Sequence, residues 1–297
     1  MRIHLRLLAL LALPAAFGCS ASNGSAGAAQ ADSGGPSAAA ASSAQQGLPA
    51  GAAEADARLA ASPRHGEWAM VSVDGGADSV RAWVVYPERR DRAPVVIVVH
   101  EIFGVSNWIR AVADQLAADG FIAVAPDFLT GRSIPMANGE PVRDSVTAAI
   151  RSLDQAQVQR RIDAAARWAM ALPAAQPRYG IVGFCWGGSV SFAHAVHAPA
   201  LGAAVVYYGT SPASERLASV RAPVLGLYGE NDARVNATIA PADSAMRALG
   251  KTYEHETYPG AGHGFLRQQD GQNGANLSAA QGAWPRTIAF FRQHLRG

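Results

Sequence analysis

Short unbroken apolar runs recur along the chain at Val95–Val99, Phe121–Ala125, Ile181–Gly183, Ala203–Tyr207 and Val224–Tyr228. None alternates with polar residues, the pattern of strands covered on both faces, as parallel sheets require. Between them, Ile109–Ala118, Val158–Ala171, Ser189–His197 and Asp243–Leu249 space their apolar residues for one face of a helix. Upstream, Glu67–Val73 and Val80–Tyr86 flank the turn residues Asp74, Gly75 and Gly76 and predict a hairpin. Alternating units predict an α/β fold with a mostly parallel central sheet, right-handed crossovers and helices on both faces. Ligands of such sheets bind beyond the carboxyl ends of the strands, so chemistry is sought just after each apolar run.

The amino-terminal region follows a different pattern. Arg2 and Arg6 precede the apolar run Leu7–Phe17, which is too short to cross a bilayer and has the layout of a secretory signal over residues 1–18. The run ends in Ala16, Phe17, Gly18, Cys19 and Ser20, similar to the cleavage site of bacterial lipoproteins, where the Cys thiol becomes acylated. Residues 19–62 are mostly Ala, Ser, Gly and Gln, a composition read as a flexible tether because it buries too little apolar surface to offset ordering. One domain is expected over residues 63–297, in an exported protein that is periplasmic or held to a membrane through Cys19. Across the 297 residues the net charge is only +2, with 16% charged residues. Lys and Arg are scattered, so no basic face for nucleic acid is expected.

The chain has two cysteines. With Cys19 in the leader region, Cys185 has no natural disulfide partner. It stands in Gly183, Phe184, Cys185, Trp186, Gly187 and Gly188, directly after an apolar run and directly before a helical stretch. That is a nucleophile elbow with Cys in place of Ser, a strand-to-helix turn so tight that residues two before and two after must lack bulk. The helix N-terminus behind the thiol favours a thiolate.

A thiolate nucleophile needs an imidazole partner, and eight histidines are available. His4, His65 and His294 lie in the leader, before the first strand and in an Arg-rich terminal stretch; His194 and His197 fall behind the elbow, and His255 inside a strand-like stretch. His263 lies instead in the glycine-rich loop Pro259–Phe265, after the strand-like Thr252–Tyr258, where the order nucleophile, acid, histidine expects it. The orienting acid should follow the run at Val224–Tyr228, which nominates Asp232 over its neighbour Glu230. The loop His100, Glu101, Ile102, Phe103, Gly104 follows the first buried run and nominates the Ile102 and Trp186 amides as an oxyanion hole. His100 and Glu101 lack a second His at helical spacing, so neither a metal nor another cofactor is expected.

Together, His-Glu-Ile-Phe-Gly at 100–104, Gly-Phe-Cys-Trp-Gly-Gly at 183–188, the Asp232 loop and Gly-His-Gly-Phe at 262–265 resemble the dienelactone hydrolase (carboxymethylenebutenolidase) family over nearly the whole domain. The resemblance implies an α/β-hydrolase fold, a Cys185–Asp232–His263 triad, and a Glu101 that contacts the resting thiol and helps generate the thiolate. It also implies arginines that hold a substrate carboxylate: Arg267 and, in the irregular segment ahead of the elbow strand, Arg143 with Arg151 as the alternative. Thr147 stands where the family often has an aromatic hydroxyl.

The function expected is hydrolysis of a small ester or lactone, such as a dienelactone, by a monomer with no nucleic-acid partner. A thiolate attacking an amide tends to be expelled before an unprotonated amine, whereas low-pKa alkoxides and enolates depart readily. The alternative is a catalytically silent, envelope-tethered binding protein on the same fold, which a broken triad would mark.

Overall fold

A computed structural model describes residues 47–137 and 140–296. The proposed signal over residues 1–18, Cys19 and the tether up to residue 46 lie outside the described residues. Strands β1 (Gly66–Val73), β2 (Asp78–Val85), β3 (Ala93–Val99), β4 (Ile122–Asp127), β7 (Ala175–Phe184), β8 (Ala203–Tyr207), β9 (Val224–Asn231) and β10 (Tyr253–Gly262) form one sheet in the order β1-β2-β4-β3-β7-β8-β9-β10. A two-stranded ribbon pairs β5 (Met136–Ala137) with β6 (Glu140–Pro141).

The expected hairpin forms the antiparallel edge, with Val71 opposite Val80, and Trp83 of β2 lies opposite Ala125 of β4, again antiparallel. From β4 onward in this eight-stranded order every pair is parallel; Ile97 pairs with Val124 on one side and Ile181 on the other. Alternate residues of one strand feed two cores. Val95, Ile97 and Val99 pack on one face of the sheet, and Val96 and Val98 on the other.

The helices that cover those faces are α1 (Ala55–Ala60), α2 (Asn107–Ala118), α3 (Arg143–Arg151), α4 (Gln155–Met170), α5 (Trp186–His197), α6 (Ala233–Asn236), α7 (Ile239–Ala248) and α8 (Ala275–His294). Val158 and Ile162 of α4, Val190 and Phe192 of α5 and Met246 of α7 fill the first core. Trp108, Val112 and Leu116 of α2 and Trp284, Ile288 and Phe291 of α8 fill the second. Asp154 caps α4 by accepting from the Ala156 N–H at 2.7 Å, satisfying a donor that the first turn cannot pair. No helix among the described residues is long and apolar enough to cross a membrane.

Two sequence expectations need correction. The composition extends the tether to residue 62, but residues 47–62 lie against the domain: Leu48 and Ala55 are buried in the second core, and the Ser62 hydroxyl donates to Asp114 at 2.5 Å. A few well-placed apolar residues suffice to dock a segment whose average composition reads as linker. The segment holding Arg143, expected to be irregular, is helix α3, whose Val146 and Ile150 are its buried residues at i and i+4.

Candidate active site

The site sits where β7 turns into α5 at the carboxyl edge of the sheet. Cys185 occupies that turn with φ 57° and ψ −115°, a conformation that costs a non-glycine residue about 1–3 kcal/mol. Its surroundings enforce the bend. The Cys185 N–H donates to the Tyr207 carbonyl at 3.1 Å, and the Cys185 carbonyl accepts from the Ser189 N–H at 3.2 Å. A Cβ on Gly183 would lie 1.9 Å from the Gly187 carbonyl oxygen, and one on Gly187 would lie 2.3 Å from that of Val99. The flanking glycines are therefore demanded by backbone crowding. Cys185 is partly exposed at this bend.

His263 directly follows β10 and faces this thiol. Its Nδ1 lies 2.5 Å from Asp232 Oδ2, and it lines the same cavity as Cys185, close enough for the sulfur to favour its protonated form. Asp232 is 8% exposed and stands between β9 and α6, so its carboxylate is held by a short, ordered turn. Glu230 is engaged elsewhere, accepting from the Gly260 N–H at 2.8 Å. Burial works against the imidazolium, but hydrogen bonds with Asp232 and Cys185, and their negative charges, outweigh it and raise the His263 pKa to about 9. Protonation is thus favoured by the two partners a thiolate–imidazolium pair needs.

Glu101 follows β3 on the opposite wall and is 3% exposed. Its Oε1 lies 2.8 Å from Arg267 Nε, an ion pair out of hydrogen-bond alignment, so that this oxygen has no hydrogen-bond donor among the described residues. Burial raises its pKa to about 7 against the opposing charges of Arg267, His263 and Arg143. The carboxyl therefore titrates near neutrality. The Arg143 guanidinium sits 4.1 Å from the centre of the Phe103 ring and that of Arg267 at 4.8 Å, so the ring lies against both cations. Cys185, His263, Glu101, Ile102, Phe103, Arg143 and Arg267 line one cavity of about 420 Å³. Arg151 ends α3 in solvent, away from the lining residues.

The Trp186 N–H opens α5 and has no intrahelical acceptor, and the Ile102 N–H donates to no protein group among the described residues. The Ile102 carbonyl is held from behind by the Thr147 hydroxyl at 3.3 Å, so the residue that departs from the family pattern supports this loop. Sequence reasoning considers His100 only as a metal ligand. In the structure it is fully buried, burial keeps it neutral, and Nδ1–H donates to the Glu101 carbonyl at 2.7 Å. That carbonyl belongs to the same peptide group as the Ile102 N–H, while the ring stacks on Trp186 at 5.5 Å. Tyr208 also escapes a reading of the residues alone. Its backbone has φ 40°, its buried ring meets His263 edge-on at 5.2 Å, and its buried hydroxyl has no hydrogen-bond partner among the described residues. An aromatic residue directly after the β8 run is the available signal for it.

A thiol on a strand-to-helix elbow, faced by an Asp-held imidazole at the edge of this sheet order, defines an α/β-hydrolase. The dienelactone hydrolase family profile matches residues 80–295, and the chain belongs to that family and is a hydrolase. A protein of Salmonella typhimurium provisionally named carboxymethylenebutenolidase is 32% identical over 237 residues, 76% of this chain and 87% of its own. One of Methylorubrum extorquens with the same provisional name is 35% identical over 241 residues, 77% of this chain and 81% of its own. The crystal structure of a provisionally named dienelactone hydrolase from Klebsiella pneumoniae superposes with a TM-score of 0.66 at 31% identity, covering 77% of this chain and 99% of that one.

Proposed function

We propose that the protein hydrolyses small carboxylic esters and lactones through a thioester on Cys185. The observation that carries this reading is the grouping of three side chains, with Asp232 2.5 Å from His263 and His263 beside Cys185 in the wall of one cavity. The thiolate attacks the carbonyl carbon, and the N–H groups of Ile102 and Trp186 receive the negative charge that develops on its oxygen. Collapse breaks the acyl C–O bond, and the departing alkoxide or enolate takes its proton from the His263 imidazolium. In a lactone the leaving group stays attached, so one ring-opened acyl thioester forms. His263 then removes a proton from water, the hydroxide adds to the thioester, and the carboxylic acid leaves as Cys185 regains the thiolate. Asp232 fixes the ring with Nε2 toward the thiol and balances the imidazolium charge.

Glu101 and the two arginines extend the reading to substrates that bear a carboxylate. An incoming anion that pairs with Arg267 displaces Glu101 from it, and the freed carboxylate, no longer stabilised by that guanidinium, can take the thiol proton. The amino-terminal pattern supports placing this reaction outside the cytoplasm, with Cys19 as a lipid anchor. The expected result of Cys185→Ala is loss of p-nitrophenyl acetate hydrolysis with an unchanged thermal unfolding midpoint, and full residual turnover overturns the assignment. Thiol titration separates this reading from a silent binding protein: rapid alkylation of Cys185 that is suppressed by His263→Ala supports catalysis.

A further inference from the structure

The segment ahead of α1 touches the side of the cavity that holds the arginines. Leu48, Pro49, Ala50 and Gly51 are buried, and Leu48 shares an apolar cluster with Phe265 and Leu266. Two polar bonds then fix its register. The Ala52 N–H donates to the carbonyl of Arg267 at 2.8 Å, and the buried Gln269 side chain donates from Nε2 to the Pro49 carbonyl at 2.9 Å. Gly51 passes so close that a Cβ there would lie 3.6 Å from the Arg267 carbonyl oxygen and 2.8 Å from a Glu54 carboxylate oxygen. Farther along, Asp56 accepts from the Asn107 side chain at 2.7 Å, tying α1 to α2.

Ala52 also lines a second cavity of about 460 Å³, whose walls include Phe103, Trp108, Arg143 and Arg267. Phe103, Arg143 and Arg267 line both this chamber and the one at Cys185. One segment thus walls the outer chamber and grips the main chain of the arginine that separates it from the thiol. All of it lies upstream of residues 80–295, the stretch matched to the family.

We propose that residues 47–53 form a positioning strap that sets the Arg267 turn, and with it affinity for substrates carrying a carboxylate beyond the scissile bond. The proposal rests on the preceding reading of the arginines as the carboxylate site. Holding the Arg267 carbonyl fixes where its guanidinium begins, and a guanidinium fork loses most of its advantage when misaligned. Because the strap lines the outer chamber and not the one at Cys185, and its long-range hydrogen bonds among the described residues go to Arg267 and Gln269, it acts on binding of the charged end and leaves bond cleavage alone.

The test uses chains beginning at residue 47 and at residue 54, together with full-length Ala52→Pro, which deletes the N–H given to Arg267. The substrates are p-nitrophenyl acetate and mono-p-nitrophenyl glutarate, and glutarate binding is measured by calorimetry. The chain from residue 47 is expected to match the full-length protein. The shorter chain and Ala52→Pro should raise KM for the glutarate ester about tenfold and weaken glutarate to the same degree, the size of one misaligned charge-assisted contact. Their kcat on both esters and their KM on the acetate should stay within about twofold. Unchanged glutarate affinity in Ala52→Pro overturns the strap, as does an equal loss on both esters, which would mark a merely structural role. If the shorter chain fails to fold, Ala52→Pro decides alone. Glutarate weakened in Ala52→Pro, with p-nitrophenyl acetate turnover persisting in Cys185→Ala, would uphold the strap and sink the thioester chemistry instead.

Discussion

The thiol side and the arginine side of the cavity are held by different kinds of force. Around Cys185 the constraint is main chain against main chain: Gly183, Gly187 and Gly188 lie where any Cβ would enter a neighbouring peptide. Around Arg267 it consists of a few directed contacts, namely the Ala52 bond, the Glu101 ion pair and a shared Phe103 ring. Hard contacts leave no alternative geometry, whereas directed polar contacts can be exchanged one at a time. Reaction geometry is therefore rigid in this molecule, and substrate choice is adjustable.

The harshest way to break that comparison is Gly187→Ala. The added methyl would meet the carbonyl oxygens of Val99 and His100 at 2.3 and 2.5 Å, so β3 and α5 must separate. A cost of about 3 kcal/mol or more is expected, lowering the unfolding midpoint by roughly 10 °C with loss of turnover. Calorimetry and p-nitrophenyl acetate hydrolysis check both, and a wild-type midpoint would show that the elbow is looser than its contacts imply. Asp232→Asn is milder for the fold and severe for the chemistry. It keeps the shape but removes the charge opposite Nδ1, and kcat should fall about a thousandfold with little change in KM.

These two regions also differ in how far they can be read from residues alone. Gly183 and Gly187 around a Cys, between an apolar run and a helical stretch, are local features, and the parallel α/β architecture follows from repeated local periodicity. The pairing of His263 with Asp232 is legible because each sits just after a strand of a fold whose ligand edge is known. Long-range contacts made by unremarkable residues stay hidden. Nothing in an Ala- and Gly-rich stretch announces that Ala52 will meet Arg267, and His100 beside Glu101 gives no sign that its ring will turn inward to stack on Trp186. Helix α3 is hard to see for a local reason. It is short, Val142 stands at its N-cap and supplies no capping side chain, and only Val146 and Ile150 mark its buried face.

Replacing Arg267 by Met sharpens the comparison from the adjustable side. KM for mono-p-nitrophenyl glutarate should rise about thirtyfold while kcat on p-nitrophenyl acetate holds within about twofold, since a charged-group contact is lost and the elbow is untouched. A comparable loss on the acetate would tie Arg267 to the reaction itself. The pH profile separates the same two regions within the unaltered protein. On ethyl acetate, whose alkoxide must be protonated as it departs, kcat/KM should fall above about pH 9, where the His263 imidazolium loses its proton and the leaving group loses its acid. On the glutarate ester, KM should also rise about threefold as pH increases through 7, because the ionised Glu101 then competes with substrate for Arg267. Below that pH the neutral carboxyl competes weakly. Glu101→Gln should flatten this second step and leave the first in place.

The smallest effect is expected from Arg143→Lys. Arg143 opens α3, and its guanidinium lies over Phe103 at 4.1 Å while lining both chambers. Lysine keeps the positive charge but loses the planar fork and much of the contact with the ring, so long-range attraction survives and oriented binding does not. KM for the glutarate ester should rise about threefold and acetate hydrolysis should be unchanged. Arg151→Lys, at the solvent end of the same helix, is the internal control and should alter neither substrate. An Arg143→Lys loss as large as that of Arg267→Met would mean that the two arginines hold the carboxylate as one rigid fork, and the arginine side would then be as tightly specified as the elbow.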